Sequence, residues 1–147
     1  MANLIFTQPA DDATLADWQH IHNVIIPTDV LSLEEVRERA GRNHLVVAYR
    51  DGEPVGCMTV RPPAGGNPTT ATVIARILPA HRRQGLGEQL YQRGLEHARA
   101  LGATVIETVV LATNEDGLRF AHARGFTEFD RYILPGDTIA YVDLRLT

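Results

Sequence analysis

The chain has 147 residues, a net charge of −4, 44% apolar content and one cysteine, which is enough chain for one folded domain over residues 1–147 and too apolar for a disordered one. Cys57 alone makes neither a disulfide nor a zinc site, and no stretch approaches the roughly 20 apolar residues of a membrane span. The start, Met-Ala-Asn-Leu-Ile-Phe-Thr, has no signal-peptide pattern, and all 14 basic residues are Arg within an acidic balance that lacks the basic face of a nucleic-acid-binding protein.

From the N-terminus, Leu4-Ile5-Phe6 predicts a short strand, and the Asp11/Asp12 pair after Pro9 opens a helix through Ala13 to Asn23. Ser32 and Glu35 stand at capping-box spacing ahead of a second helix over 32–40. His44 to Arg50 and Pro54 to Val60 read as two strands, joined by Asp51-Gly52, the pair that favours positive φ in a tight hairpin. Pro62-Pro-Ala-Gly-Gly-Asn-Pro has no periodicity and predicts an exposed loop before a long strand, Thr70 to Leu78.

Leu86, Leu90, Tyr91, Leu95, Ala98 and Leu101 recur at helical spacing with charged residues between them, giving an amphipathic helix that ends at Gly102. Thr104 to Leu111 is β-branched and nearly continuously apolar, as a central strand covered on both faces would be. Asn114 to Arg124 predicts a short helix stopped by Gly125, and Phe126 to Ile133 and Thr138 to Leu146 predict two strands around Leu134-Pro-Gly-Asp. The order is βααβββαβαββ. Only the unit from 70 to 111 demands a parallel pair with a right-handed crossover, so the fold class is α/β with a mixed, mostly antiparallel sheet.

The chemistry centres on Pro79-Ala-His-Arg-Arg-Gln-Gly-Leu-Gly-Glu, an Arg-x-x-Gly-x-Gly turn between a strand and a helix. Backbone N–H groups of such a turn, together with the positive end of the helix, form a cradle for phosphate oxygens. No third glycine completes a dinucleotide fingerprint, and the absence of lysine excludes a P-loop. An ordinary glycine loop ahead of a helix has the same local pattern.

The run from Ala75 to Gly87, followed by Asn114 and then Gly125-Phe126, resembles the GCN5-related N-acetyltransferases, and the element order resembles that family end to end. The resemblance implies acetyl-CoA in a V-shaped opening between strands 70–78 and 104–111. Ala75, Arg76 and Ile77 would pair with the pantetheine through their backbone, and one of their N–H groups would meet the thioester carbonyl. Arg83, Gln84, Gly85, Leu86, Gly87 and Glu88 would hold the pyrophosphate through backbone amides, and Asn114 would touch the pantetheine. The charges of Arg82 and Arg83 either assist near the phosphates or are exposed surface arginines.

Catalysis needs a base for the acceptor ammonium, a donor for the oxyanion and an exit for the thiolate. Many relatives place a Tyr four residues before the Gly-Phe glycine, where this chain has Ala121; His122 is adjacent but about 100° away on a helix. Glu107, in the apolar strand and on the face of Val109, is the candidate base, or else a strand-end carboxylate meeting solvent or an Arg. His20 and His22 are further candidates, whereas Tyr132 and Tyr141 read as core or rim aromatics.

The expectation is therefore an N-acetyltransferase that moves an acetyl group from acetyl-CoA to a small-molecule or peptide amine by direct attack. It would use no metal, have no nucleic-acid or membrane partner, act in the cytoplasm, and be a monomer or homodimer. A non-catalytic CoA-binding or sensory module and a transferase using another acyl-CoA are the competing readings, and the mildly acidic balance is compatible with a cationic acceptor.

Overall fold

The computed structural model describes residues 3–146, so Met1 and Ala2 of the N-terminal stretch and Thr147 of the expected domain lie outside it. The elements follow the predicted order: β1 (Leu4–Thr7), α1 (Asp12–Ile25), α2 (Leu33–Arg42), β2 (His44–Arg50), β3 (Glu53–Arg61), β4 (Thr70–Ile77), α3 (Leu86–Ala100), β5 (Val105–Leu111), α4 (Glu115–Ala123), β6 (Phe126–Tyr132) and β7 (Tyr141–Leu146).

Local chemistry sets the boundaries. Asp11 caps α1 by accepting from Thr14 N at 2.9 Å, one residue earlier than a helix opened by the acidic pair would begin. The Ser32/Glu35 box forms as the spacing predicts, with Glu35 N donating to Ser32 Oγ at 3.1 Å and Ser32 N to Glu35 Oε1 at 2.9 Å. Asp51 and Gly52 take φ of 49° and 83°, both positive, and close the β2–β3 hairpin.

The seven strands form one sheet in the order β1-β2-β3-β4-β5-β7-β6, antiparallel throughout except for β4 and β5. The hairpin partner β7 lies between β5 and β6, so the final strand occupies an interior position. One apolar layer packs α3 and α4 on the sheet through Met58, Val73, Leu90 and Ile106; the other packs α1 and α2 through Trp18, Ile21, Val36, Val47 and Cys57. Cys57 is a core residue whose thiol pKa burial pushes up to about 12, so it remains an unreactive thiol.

The parallel pairing of β4 with β5 covers only Thr70↔Val105, Ala71↔Ile106 and Thr72↔Glu107, after which the two strands have no ladder between them. Past that point β5 is not covered on both faces, as its apolar run predicts. Val109 and Val110 are only half-buried because a cavity opens beside them.

Candidate active site

The separation of β4 from β5 leaves a slot whose β4 edge, from Val73 to Ile77, has backbone donors and acceptors with no strand on that side. A cavity of about 370 Å³ fills it and reaches both faces of the sheet, from Ile25 and Ile26 at the end of α1 to Tyr91, Phe120 and Phe126 on the α3/α4 side.

At one mouth lies the glycine turn. After a single 3-10 turn at Pro79–His81, Arg83 and Gly85 take φ of 65° and 81°, and Gly85 caps α3 from the left-handed region. Left-handed residues that feed a helix N-terminus turn successive N–H groups toward one concavity, where the helix dipole favours an anion. Gly85 bears this conformation without the strain that a side chain adds. Gly87 lacks a side chain for another reason: a Cβ there would stand 3.2 Å from the Phe120 ring, so it sets the close approach of α3 to α4.

Ala75, Arg76, Ile77, Arg82, Arg83, Gly85, Leu86, Gly87, Glu88 and Asn114 line the cavity; Gln84 is exposed and does not. Several of these side chains have structural partners that local sequence did not disclose. Arg82 Nε donates to Ile77 O at 2.8 Å and its Nη1 pairs with Asp116 Oδ2 at 3.2 Å, tying the end of β4 to α4. Arg83 reaches the same carboxylate at 3.4 Å from an exposed position. Three arginine contacts, from Arg82, Arg83 and Arg119, hold the Asp116 carboxyl below the usual range, the Arg82 hydrogen bond foremost. Glu88 pairs with Arg124, and Asn114 caps α4 by accepting from Gly117 N at 3.0 Å.

The expected proton-transfer groups lie differently. Ala121 is buried and lines the cavity, while His122 is exposed, with Nδ1 3.2 Å from Phe126 O, and does not line it. Glu107 is also outside the lining: its Oε2 accepts from Arg145 Nη2 at 2.7 Å and Nε at 3.0 Å across the β5/β7 register. His20 is exposed on α1. His22 is 2% exposed, stacked on Trp18, and burial lowers its pKa to about 4, so it is neutral near pH 7.

Two groups on the α1/α2 face carry chemistry that the sequence reading did not assign. Asp143 on β7 stands across from Val109, which lines the cavity; burial raises its pKa, and the Tyr132 hydroxyl, donating at 3.2 Å, acts in the opposite sense. Arg76 lines the cavity from β4 without an ion-pair partner among the described residues, where only its backbone had been considered. Strand alternation from Glu107 and Val109 would have placed Asp143 only if β7 had been known to pair with β5.

A sheet split between two parallel strands, with a left-handed turn at a helix N-terminus at one mouth of the split, has an open strand edge suited to an extended chain and a turn suited to an anion. The sequence matches the acetyltransferase (GNAT) family over residues 9–126, and the chain belongs to that family. Among solved structures it is similar to Ard1 from Thermoplasma volcanium, with a TM-score of 0.81 and 15% identity over 97% of this chain and 95% of that one. The ribosomal-protein-S18-alanine N-acetyltransferase of Escherichia coli gives a TM-score of 0.75 at 17% identity, over 98% of this chain and 93% of the other. The Salmonella typhimurium protein yncA, solved with its cofactor acetyl-CoA, gives 0.77 at 20% identity over the same shares, 98% and 93%. Comparison with curated protein sequences finds no match.

Proposed function

We propose that the protein is an N-acetyltransferase that takes acetyl-CoA into the β4/β5 slot and passes its acetyl group directly to an amine approaching from the α1/α2 face. The observation that carries this reading is the end of the β4–β5 ladder at Thr72/Glu107, which leaves an unpaired strand edge leading to the left-handed turn at Arg83–Gly85. That edge fits the amide groups of a pantetheine arm, and the turn fits a pyrophosphate.

When bound, acetyl-CoA supplies an electrophilic thioester carbonyl and a sulfur leaving group. The backbone of Ala75 to Ile77 would orient the arm and present an N–H to the carbonyl oxygen as negative charge develops there. Leu86, Tyr91 and Phe120 would keep water from the α3 side of the slot. An N–C bond forms as the C–S bond breaks; the substrate ammonium gives up two protons in all, one to the departing sulfur and one to solvent. No tyrosine is needed at Ala121, since a thiol with a pKa of about 8.5 departs acceptably as a thiolate. Glu107 is tied to Arg145, and Asp143, across the β5/β7 ladder from the cavity-lining Val109 and with its proton affinity raised by burial, would act as the general base.

Incubation with acetyl-CoA and a panel of small amines and short peptides, with CoA release as readout, tests the proposal. Turnover with any member supports it. Tight acetyl-CoA binding without turnover favours the other reading, a CoA-binding or sensory module, to which Ala121 in the cavity wall lends support.

A further inference from the structure

Charge on the α1/α2 face runs against the acidic balance of the whole chain. Arg76 stands on β4 opposite Cys57, a member of the α1/α2 core, and lines the cavity. Among the described residues it has no carboxylate and no hydrogen-bond partner, although the other cavity arginines are paired: Arg82, Arg83 and Arg119 with Asp116, and Arg124 with Glu88. Its surroundings add positive charge. Arg39 of α2 and Arg61 of β3 both act on it electrostatically, and withdrawal from water pulls its pKa below the usual guanidinium range. Of the carboxylates nearby, Asp29 is 4.0 Å from Arg39 and Asp143 accepts from Tyr132.

A guanidinium half-withdrawn from water at a cavity wall with no anion beside it is costly, and such groups are ordinarily paired unless something outside the chain completes them. Replacement of a buried charge by an apolar or neutral side chain is often neutral or stabilising, so stability does not account for an arginine here.

We propose that the acceptor carries an oxyanion beside its amine, received by Arg76 on the α1/α2 face of the slot. The inference rests on the N-acetyltransferase reading and narrows it to small amino acids or their phosphonate and sulfonate analogues. Arg76 belongs to the same three residues whose backbone faces the thioester, so an anion on its side chain lies close to the attacking nitrogen. A free amino acid has its carboxylate two bonds from the amine. A peptide N-terminus has converted that carboxylate to an amide, and a polyamine has no anion at all.

The test compares matched acceptors: L-methionine with 3-(methylthio)propylamine, and L-phenylalanine with phenethylamine, alongside 2-aminoethylphosphonate, taurine and short peptides beginning with Asp or Glu. The parent should prefer acid-bearing amines by about 10- to 100-fold in kcat/KM, as expected for a hydrogen bond to a charged group worth about 1.5–3 kcal/mol. Arg76→Gln should lose that preference mainly through KM, Arg76→Lys should retain part of it, and both should bind CoA as the parent does and melt at no lower temperature. The phosphonate and sulfonate arms identify which oxyanion is preferred.

Equal use of the decarboxylated amines, a preference for acidic peptides, or loss of CoA affinity in Arg76→Gln would overturn the proposal. Calorimetry of N-acetyl-L-methionine on the CoA-loaded protein separates the two levels of inference. Binding that needs Arg76, without turnover of any amine, keeps the anion site and sinks the transferase reading. Turnover of amines with no Arg76-dependent binding does the reverse, and absence of both sinks both.

Discussion

A single histidine links burial to pH. His22 is held between Trp18 and Asn23, with Nδ1 3.0 Å from Asn23 Oδ1, and burial keeps its folded pKa at about 4. In the unfolded chain the ring takes a proton below about 6.5, and the folded chain accepts none until near 4. Its stabilising contribution is therefore complete above pH 6.5 and lost as pH falls toward 4, by about 3 kcal/mol across that window. Urea melts of the parent and His22→Gln between pH 7 and 4 should show the stability difference shrinking by that order; parallel curves would mean the ring is protonated in the fold. The sequence presented His22 and His20 as equals on one helix. Only packing separates the exposed ring from the buried one, and a two-residue step on a helix, which turns a side chain by about 200°, is what does so.

The slot depends on how closely α3 sits on the sheet. Gly94 faces β4, and a Cβ there would fall 2.6 Å from Val73 Cγ1 and 3.2 Å from Met58 Sδ, side chains already interlocked in the α3 layer. Gly94→Ala gains up to about 1 kcal/mol of helix propensity. It also overfills a packed layer at about 1–3 kcal/mol, and a 2.6 Å contact places it toward the upper end. The net effect should be a lower urea midpoint, with weaker CoA binding as β4 is pushed; an unchanged midpoint would mean that α3 lifts freely. Local signals made most elements legible: capping residues at Asp11 and Ser32, the Asp51-Gly52 turn, and the 3.6-residue period of α3. They left the place of β7 illegible, because insertion between β5 and β6 is a matter of pairing that no stretch of Tyr141–Leu146 encodes on its own. The apolar run of β5 was misleading for a related reason, since a strand that borders a ligand slot carries the same residues as one sealed on both sides.

Across the molecule, charge is sorted in a way that the net figure of −4 conceals. Arg39, Arg61 and Arg76 gather on the α1/α2 face proposed for the acceptor, which a cationic acceptor suggested by the overall balance would not suit. The same sorting separates the two carboxylates proposed as the base. Glu107 and Arg145 form a pair whose side chains are 22% and 46% exposed, joining β5 to β7, and partly exposed pairs of this kind contribute about 0.2–1 kcal/mol. Asp143, one alternation along the same face of β7, lacks such a partner, and its proton affinity is raised chiefly by burial. Glu107→Gln should therefore lower stability within that range and leave the pH–rate profile in place. Asp143→Asn should reduce turnover by about 10²–10⁴-fold, the usual yield of a positioned base, and should abolish the acidic limb of the profile, which in the parent lies above the ordinary aspartate pKa. The two variants have opposite signatures in one set of pH–rate measurements. Loss of the acidic limb in Glu107→Gln with its retention in Asp143→Asn would return the base to β5 and reduce the Arg145 contact to a brace that opens when the acceptor binds.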